Sequence, residues 1–447
     1  MTPISYPPSH RTFGIELEFF LIDNEGRIVN KADSVLEEFK KNLTNTELKK
    51  ECGKNMLEIA TFPHLSSRHV FSNFFDDFEN LIYDIDKQDL SLFYYGSYPG
   101  KNSPEMREEP RYYAKEKILG KENWKTAGRC IGFHYHYSLP RRTFNRNIKF
   151  FYPDIKERDK HKVLNVNNLF IALDPAITTF MQSSPYYQGN YLGKDSRIIA
   201  YRGEEFFEYE NSLYARQPDF GTLNKYSLEF NELKNSIRKR STEWKKLLNE
   251  HDVSFNKFTK YGTSILDSSW KPVKVTAHGT IESRGCDMNS VKKVAGLCGI
   301  LKNFIRYINK NKIKIIPDKI GNKNPFKLES DKLYVPQADY LRNVLQKKSA
   351  VKGLDSMKIR EYCGSLVDFL DKNVIDNNKL ILQEFKEILE KRKTTSDEIL
   401  DYVKKKQGYT NYKRITQETA EELSIKLSDK LFKNLLITRK MSEKSVF

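Results

Sequence analysis

Hydrophobic and polar residues alternate along several short segments of the chain, and this alternation predicts β-strands. Side chains two apart on a strand point to the same face of the sheet. Residues 13–20 read FGIELEFF, so Glu16 and Glu18 would share one face while Ile15 and Leu17 face the other way. Segments with similar patterns follow. The predicted strands are 11–23, 55–62, 92–96, 129–139 and 273–284.

Longer segments carry apolar residues at helical spacing instead. Residues 67–87 are one example, with Val70, Phe71, Phe74 and Phe78 on one face. The predicted helices in this part of the chain are 31–42, 67–87, 163–181, 226–250 and 289–310. Polar segments with Pro104 and Pro110, or with 183–185, read as loops between them. No internal repeat is found.

From about residue 331 the chain becomes lysine-rich and predominantly amphipathic. Leu380, Ile381 and Phe385 fit one helix, and residues 395–398 resemble a capping box ahead of the next. Three leucines, at 423, 427 and 431, predict a last helix. We therefore predict a sheet-bearing part over 1–330 and a helical region over 331–447 that packs on it. The fold class is α+β, with a mainly antiparallel sheet.

The composition narrows the class of protein. The chain has 447 residues, of which 13% are aromatic, so it can bury a large core and is not a disordered protein. The five cysteines are scattered without a C-x-x-C pair, which argues against a disulfide framework or a cysteine zinc site. Neither a leader-like segment near the start nor a membrane-length apolar stretch is found, so we expect a cytoplasmic protein without membrane attachment.

A net charge of +17 favours an anionic partner. The lysines are spread over presumed helix faces rather than clustered, which is typical of solvated surface. We therefore attribute the charge to surface composition together with an anionic nucleotide substrate. Binding of nucleic acid is not our expectation, and it stays open as an alternative.

The polar faces of four predicted strands carry the residue types of a metal and phosphate site. Mg²⁺ and Mn²⁺ prefer carboxylate oxygens and often share their coordination with substrate phosphates. Imidazole suits Mn²⁺ or zinc and also donates to phosphate, and a guanidinium neutralises a phosphate that is being transferred. Phosphoryl transfer is the chemistry that this set favours. The strand residues concerned are Glu16, Glu18, Glu58, His134, His136, Glu282 and Arg284.

Each pattern taken alone has a simpler explanation. Two glutamates two apart are common on a solvated strand, and a His-x-His pair is more often hydrogen-bonded than metal-bound. The segment 189–195 contains Gly193 and Lys194, but it is too short for a phosphate loop and has Asp195 where Ser or Thr is needed. The prediction rests on the occurrence of several such strands in one chain.

The order of these motifs resembles the glutamate–cysteine ligase 2 family of carboxylate–amine ligases, which is related to glutamine synthetase. The matching segments span residues 13 to about 290. They are 14–19, 57–61 before Pro63, 96–99, 111–112, the pair His134 and His136, 183–189, 195–197 with Arg202, and 279–284 with Asp287.

This resemblance implies a glutamine synthetase-like catalytic part over 1–330 and an ATP-dependent ligase that forms an amide through an acyl phosphate. The cofactors implied are ATP with Mg²⁺ or Mn²⁺. The implied metal ligands are Glu16, Glu18, Glu58, His134 and Glu282, with Glu58 and Arg284 as catalytic residues. His136 and Arg284 would bind the phosphates, and the implied substrate-binding residues are Arg111, Arg197 and Arg202.

Several positions depart from the family pattern and leave the substrates open. Phe133 replaces a polar residue, and Ser283 and Gly285 replace bulkier apolar ones. Glutamate is one candidate acid, and the acceptor amine is either a small molecule or a peptide or protein. Assembly into a homo-oligomer is also open. Two alternatives remain: a metal-dependent phosphotransferase or ATPase on the same fold, and a basic binding protein without catalysis.

Overall fold

A mainly antiparallel sheet of seven strands forms the centre of the protein. The computed structural model describes residues 11–202, 207–259, 264–375 and 380–444. The central sheet has the order β10-β11-β5-β1-β3-β2, with β4 paired to the end of β1. The strands are β1 (Phe13–Asp23), β2 (Thr46–Lys50), β3 (Met56–Thr61), β4 (Leu90–Phe93), β5 (Gly132–Ser138), β6 (Phe144–Asn145), β7 (Phe150–Phe151), β8 (Tyr186–Tyr187), β9 (Asn190–Tyr191), β10 (Val273–Val275), β11 (Thr280–Asp287), β12 (Lys314–Pro317), β13 (Lys327–Glu329) and β14 (Lys332–Val335).

Helices cover the apolar side of this sheet, as amphipathic patterning predicts. They are α1 (Ala32–Phe39), α2 (Ser67–Asp86), α3 (Pro110–Leu119), α4 (Lys121–Trp124), α5 (Glu157–Met181), α6 (Ser196–Arg202), α7 (Phe230–Glu250), α8 (Phe255–Thr259), α9 (Val291–Lys310), α10 (Lys319–Lys323), α11 (Ala338–Tyr340), α12 (Lys347–Lys352), α13 (Met357–Phe369), α14 (Leu380–Lys391), α15 (Thr395–Gln407), α16 (Gln417–Ser428) and α17 (Lys430–Glu443). Helix α9 contacts α2, α5, α14 and α17, so the C-terminal helices share the main hydrophobic core. The predicted fold class is confirmed.

The register of the sheet brings the candidate site residues together. Strand β1 pairs with β5 so that Glu16 lies opposite His134, and with β3 so that Glu18 lies opposite Glu58. On the other side of β5, Glu282 lies opposite His136. Directly opposed side chains on neighbouring strands are about 5 Å apart at Cβ. Four strands therefore present their polar residues to one another on one face.

Two of the predicted elements are divided differently in the structure. The segment 273–284 is a hairpin of β10 and β11, because Gly279 adopts a left-handed φ of 75° and turns the chain. The alternating pattern continues through that turn and hides it. The predicted last helix is also two helices, with Leu423 and Leu427 in α16 and Leu431 in α17.

Two further corrections concern local signals. The capping box before α15 is formed by Thr394 and Asp397, one residue earlier than predicted. Strand β2 was not predicted, since its sequence TELKK has one large apolar residue, Leu48. It is the edge strand beyond β3, where an exposed face tolerates charged residues.

The predicted division at residue 330 stays a prediction. Strands on both sides of it form one small sheet, in which β12 and β14 pair in parallel and β13 and β14 pair antiparallel. The rings of Phe326 and Tyr362 also pack 5.2 Å apart across it. In the described ranges, every helix is too short or too polar to cross a membrane.

Candidate active site

The polar face of strands β1, β3, β5 and β11 holds a cluster of buried ionisable groups. Glu18 and Glu58 are each 6% exposed, and His134 and Glu282 are each 2% exposed. Glu16 is partly exposed at the centre of the cluster. Charged side chains are rarely buried to this extent without partners or a bound ion.

The donor atoms of this cluster form three overlapping groups, each spanning no more than 4.8 Å. One group is Glu16, His136 and Glu282, and the second is Glu16, Glu58 and His134. The third is Glu18, Glu51 and Glu58. Glu51 was not predicted, because it follows the charged strand β2 and belongs to no alternating pair.

The two histidines connect the carboxylates of neighbouring strands. His136 places Nε2 3.1 Å from Oε2 of Glu16, and its Nδ1 lies 3.0 Å from Oγ1 of Thr280. His134 places Nδ1 3.2 Å from the same oxygen of Glu16. Its Nε2 is buried 3.4 Å from Oε1 of Glu18, without a hydrogen-bond partner among the described residues. This nitrogen is therefore available to a bound ion.

Three permanent cations flank the carboxylates. Nζ of Lys49 lies 3.2 Å from Glu16 and 3.4 Å from Glu58. On the opposite side, Lys274 and Arg284 each approach Glu282 to 3.5 Å. The two lysines were not among the predicted site residues, although Lys49 and Glu47 share the alternation of a strand. Glu282 and Arg284 do come together as the sequence indicates.

Two carboxylates of the cluster, Glu16 and Glu282, stay ionised. Burial opposes ionisation of Glu282, but Arg284 and Lys274 outweigh it and lower its pKa to about 2. Burial opposes ionisation of Glu16 as well, and the two histidines hold its pKa well below the ordinary value. Both groups can therefore act as anionic ligands at neutral pH.

At Glu18 and Glu58, burial and neighbouring acids outweigh the cations nearby. Burial, with Glu51 nearby, raises the pKa of Glu18 to about 8. Burial, then Glu16 and Glu51, raise the pKa of Glu58 well above its ordinary value. Like charges held close in a buried site have this effect, and a divalent cation would remove it.

The two histidines differ in pKa. Burial and the charge of Arg284 lower the pKa of His134 to about 4, so its ring is neutral at physiological pH. Burial alone would lower the pKa of His136, but Glu16 and Glu282 outweigh it and raise it. A neutral imidazole is the form that binds metal, and a protonated one donates to phosphate. The predicted roles of His134 at the metal and His136 at the phosphates stay predictions.

The donor set fits a hard divalent cation. Carboxylate oxygens predominate, as Mg²⁺ and Mn²⁺ require, and one neutral imidazole nitrogen suits Mn²⁺ in particular. The buried, unpartnered Nε2 of His134 and the crowded carboxylates of Glu18 and Glu58 are the observations that support this fit. The cysteines lie outside this cluster and are buried.

A basic pocket of about 190 Å³ adjoins the cluster at Glu18. Trp270 forms one wall, with the guanidinium of Arg284 6.0 Å from its ring centre. Nε of Arg284 is buried and without a hydrogen-bond partner in the described part of the chain. Five cations and three carboxylates line the pocket, so it favours an anion. They are Arg111, Lys115, Arg197, Lys274 and Arg284, with Glu18, Glu51 and Asp267.

The three arginines predicted for substrate binding have different surroundings. Arg111 is partly exposed on the pocket wall, with Nε 3.1 Å from Glu109. Arg197 also borders the pocket, but it is 1% exposed and donates to the carbonyls of Gly285 and Cys286 at 3.1 and 3.0 Å. Arg202 does not line the pocket. It is fully buried on Asp174, with two hydrogen bonds of 2.8 and 3.0 Å.

The motif at 183–189 holds the end of strand β11 in place. The backbone N–H of Ser183 donates to Asp287 at 2.9 Å, and the hydroxyl of Ser184 donates to it at 2.7 Å. Burial raises the pKa of Asp287 to about 6 in spite of these donors. This part of the sequence pattern is therefore structural and fixes the strand that carries Glu282 and Arg284.

Comparison with known proteins gives one family match over part of the chain and several solved structures with a similar fold. Residues 12–206 match the model of glutamate-cysteine ligase family 2 (GCS2). A comparison with curated proteins gives no match. The structure is similar to glutamate–cysteine ligase from Francisella tularensis, solved in complex with AMP. That similarity has a TM-score of 0.55 and 13% identity, and covers 98% of this chain and 93% of that one.

The structure is also similar to a bifunctional glutathione synthetase from Pasteurella multocida, with a TM-score of 0.54 and 13% identity. This chain, 97% of which is covered, spans only 52% of that enzyme's length. At 13% identity, the two structural similarities show a shared fold alone. The family match covers the strands that carry Glu16, Glu58 and His134. The resemblance found in the sequence is thus confirmed, and the chain carries the glutamate–cysteine ligase family 2 pattern over residues 12–206 on the fold of these ligases.

Proposed function

We propose that the protein is an ATP-dependent carboxylate–amine ligase that forms an amide through an acyl phosphate. The observation that carries this proposal is the buried carboxylate face of the sheet with a basic pocket beside it. The family match and the shared fold support the same reaction class. The related Francisella tularensis structure was solved with AMP, which supports nucleotide binding here.

The reaction has two balanced steps. A carboxylate oxygen of the acid substrate attacks the terminal phosphorus of ATP, forming an acyl phosphate and releasing ADP. The amine then attacks the acyl carbon, and phosphate leaves as the amide forms, with one proton released. The first step requires that the negative charge of ATP be neutralised and held in line with the acid. The second requires an amine without its proton.

Residues of the cluster have distinct roles in this proposal. Mg²⁺ or Mn²⁺ would be held by Glu16, Glu58, Glu282 and His134. Glu18, which lies beside Glu58, would supply a further carboxylate. Such an ion neutralises the ATP phosphates when bound. Arg284 would stabilise the transferred phosphoryl group from the pocket side, because it faces both Glu282 and the pocket.

The basic pocket would bind the acid substrate next to the phosphoryl group. Among the predicted arginines we assign this role to Arg111, with Arg197 bordering the pocket, and we assign Arg202 a structural one. The surplus of cations suits an acid with a second negative group, of which glutamate is the first candidate. A volume of about 190 Å³ suits an amino acid rather than a larger acid.

Trapping the acyl phosphate tests the reaction. The protein is incubated with ATP, Mg²⁺ or Mn²⁺, hydroxylamine and a panel of amino acids and dicarboxylates, and hydroxamate and ADP are measured. We expect hydroxamate with at least one acid, in amounts equal to ADP. ADP without hydroxamate for any acid would instead favour a phosphotransferase or ATPase.

Two isosteric variants connect the reaction to the cluster. Glu58→Gln and Glu282→Gln remove a carboxylate with little change in volume and should lower the hydroxamate rate at least about 100-fold. Glu37→Gln changes an exposed glutamate on α1 and is the matched control. Hydroxamate formation at the normal rate in both cluster variants would refute the assignment of the site.

A further inference from the structure

A second basic site lies on the other side of the central sheet. On strands β5 and β11, Tyr137 and Ile281 lie opposite each other, one residue along from the pair His136 and Glu282. Because side chains alternate along strands, the first pair points away from the carboxylate cluster. A cleft of about 600 Å³ is found there, and we refer to it as the basic cleft.

The floor of the basic cleft is apolar and its rim is cationic. Five cations line it, and no carboxylate of the described residues does. Three of them, Lys302, Arg306 and Lys310, are four residues apart on α9 and so share one face of that helix. The cations are Arg11, Lys162, Lys302, Arg306 and Lys310, and the apolar residues include Leu65, Leu139, Val163, Val166 and Ile281.

These cations have little compensating charge. In the described ranges, their one ion pair with a carboxylate is Lys162 with Asp159, at 3.9 Å. Nζ of Lys302 instead donates to the hydroxyl of Ser67 at 2.9 Å. Burial and the neighbouring Arg306 lower the pKa of Lys302, and burial, partly offset by Tyr137 and Asp159, lowers that of Arg11. Positive charge therefore predominates in the cleft, with Asp159 as its nearby carboxylate.

A helix terminus adds to this potential. Helix α2 has 20 residues and begins at Ser67, and Ser66, which precedes it, lines the cleft. The hydroxyl of Ser66 makes no capping bond to the helix. The partial positive charge of an uncapped N-terminus favours phosphate or another anion. The helix and the cations therefore favour the same kind of ligand.

The segment that precedes Arg11 does not have the charge needed to occupy the basic cleft, which favours a separate ligand. Residues 1–10, which precede Arg11 directly, contain no acidic residue and so do not match the rim in charge. The volume lies in the range of pockets for small molecules, about 300–1,000 Å³. The rim requires several negative charges close together, while the floor requires an apolar body beside them.

We propose that the basic cleft binds a small organic polyphosphate of the nucleoside triphosphate type, at a site separate from the carboxylate cluster. Its phosphates would lie on the α9 cations, Arg11 and the start of α2. Its apolar part would lie on the aliphatic floor. Binding there requires no divalent ion, since the site holds cations instead of carboxylates.

Binding of a fluorescent ATP analogue to the full chain in EDTA tests this proposal. Arg306→Glu with Lys310→Glu reverses two exposed cations of the rim and should weaken binding at least tenfold. Lys430→Glu with Lys433→Glu makes the same change of net charge on exposed positions of α17 and should leave binding unchanged. Glu282→Gln should also leave it unchanged, which separates this site from the ligase reaction.

Two competitors define the class of ligand. Unlabelled ATP should displace the analogue more strongly than inorganic tripolyphosphate, because the latter lacks an apolar body. Equal displacement by tripolyphosphate, tighter binding of longer oligonucleotides, or loss of binding in the Lys430 and Lys433 control would each overturn the proposal. Absence of binding in EDTA would overturn it as well.

Discussion

Replacement of Arg202 by methionine separates a structural arginine from a substrate-binding one. Arg202 is fully buried and forms two hydrogen bonds with Asp174, which is 2% exposed on α5. Gln346 donates to the same carboxylate at 3.3 Å. Arg202→Met keeps most of the side-chain volume and removes the charge. Asp174 is then left buried with the amide of Gln346 as its remaining side-chain donor in the described structure.

The expected loss follows from this geometry. Breaking a buried pair by removing one partner costs about 3–5 kcal/mol, because the other charge stays buried without compensation. An unfolding entropy of about 2.1 cal/mol/K per residue gives roughly 0.9 kcal/mol/K for the 447 residues. The melting temperature should therefore fall by about 3–5 °C. Replacing both partners, as Arg202→Met with Asp174→Leu, should restore most of the loss.

Urea unfolding and substrate kinetics are measured on the same variants. Arg111→Met is the matched comparison, since Arg111 is partly exposed on the pocket wall and its pairing with Glu109 is at the surface. That variant should keep its unfolding midpoint and raise KM for the acid substrate. Unchanged stability of Arg202→Met together with a raised KM would refute the reasoning and return Arg202 to the substrate site.

Three further predictions concern pH, metal and packing. Burial and the nearby Arg240 lower the pKa of Lys271 from the ordinary 10.5 to about 7, so the unfolded chain binds a proton that the folded one releases. Its contribution to stability should rise from pH 7 towards 10.5, and Lys271→Met, unlike the exposed Lys246→Met, should reduce that rise in urea midpoints. Mn²⁺ at about 100 times its Kd should raise the melting temperature by about 3 °C, with no rise in Glu58→Gln. Gly132→Ala should destabilise the protein by about 1–3 kcal/mol in urea, because its Cβ would overlap the buried guanidinium of Arg197.

The sequence predicts the carboxylate face because strand alternation is a short-range property. A period of two places Glu16 with Glu18 and His134 with His136 whatever the rest of the chain does. The pairing of those strands is a long-range property, and the alternation does not specify it. The family resemblance implied that these residues share one metal site, and the register of β1 with β5 places Glu16 opposite His134.

The residues that the sequence missed carry weaker local signals. Lys49 lies in an edge strand whose pattern is mostly polar, and Glu51 follows that strand. Lys274 lies before a turn that the alternation conceals. Arg202 is the opposite case, since the sequence predicted it for the site although the structure pairs it with Asp174. It stands in a matching motif, but its partner Asp174 is 28 residues away on α5, and sequence proximity to Arg197 does not reveal that pairing.

The cluster holds more carboxylates than the cations beside it can neutralise. Five carboxylates, Glu16, Glu18, Glu51, Glu58 and Glu282, lie close together in the described structure, with Lys49, Lys274 and Arg284 in ion-pair contact with three of them and Arg197 near Glu18. Burying unpaired charges costs several kcal/mol each, so this arrangement lowers the stability of the protein on its own. The pKa values of Glu16 and Glu282 are lowered, whereas burial and neighbouring carboxylates raise those of Glu18 and Glu58 in spite of the cations near them. One divalent ion on the Glu18 and Glu58 side would supply the missing charge. The destabilisation is therefore the physical basis for expecting that metal binding and folding stability are coupled in this protein.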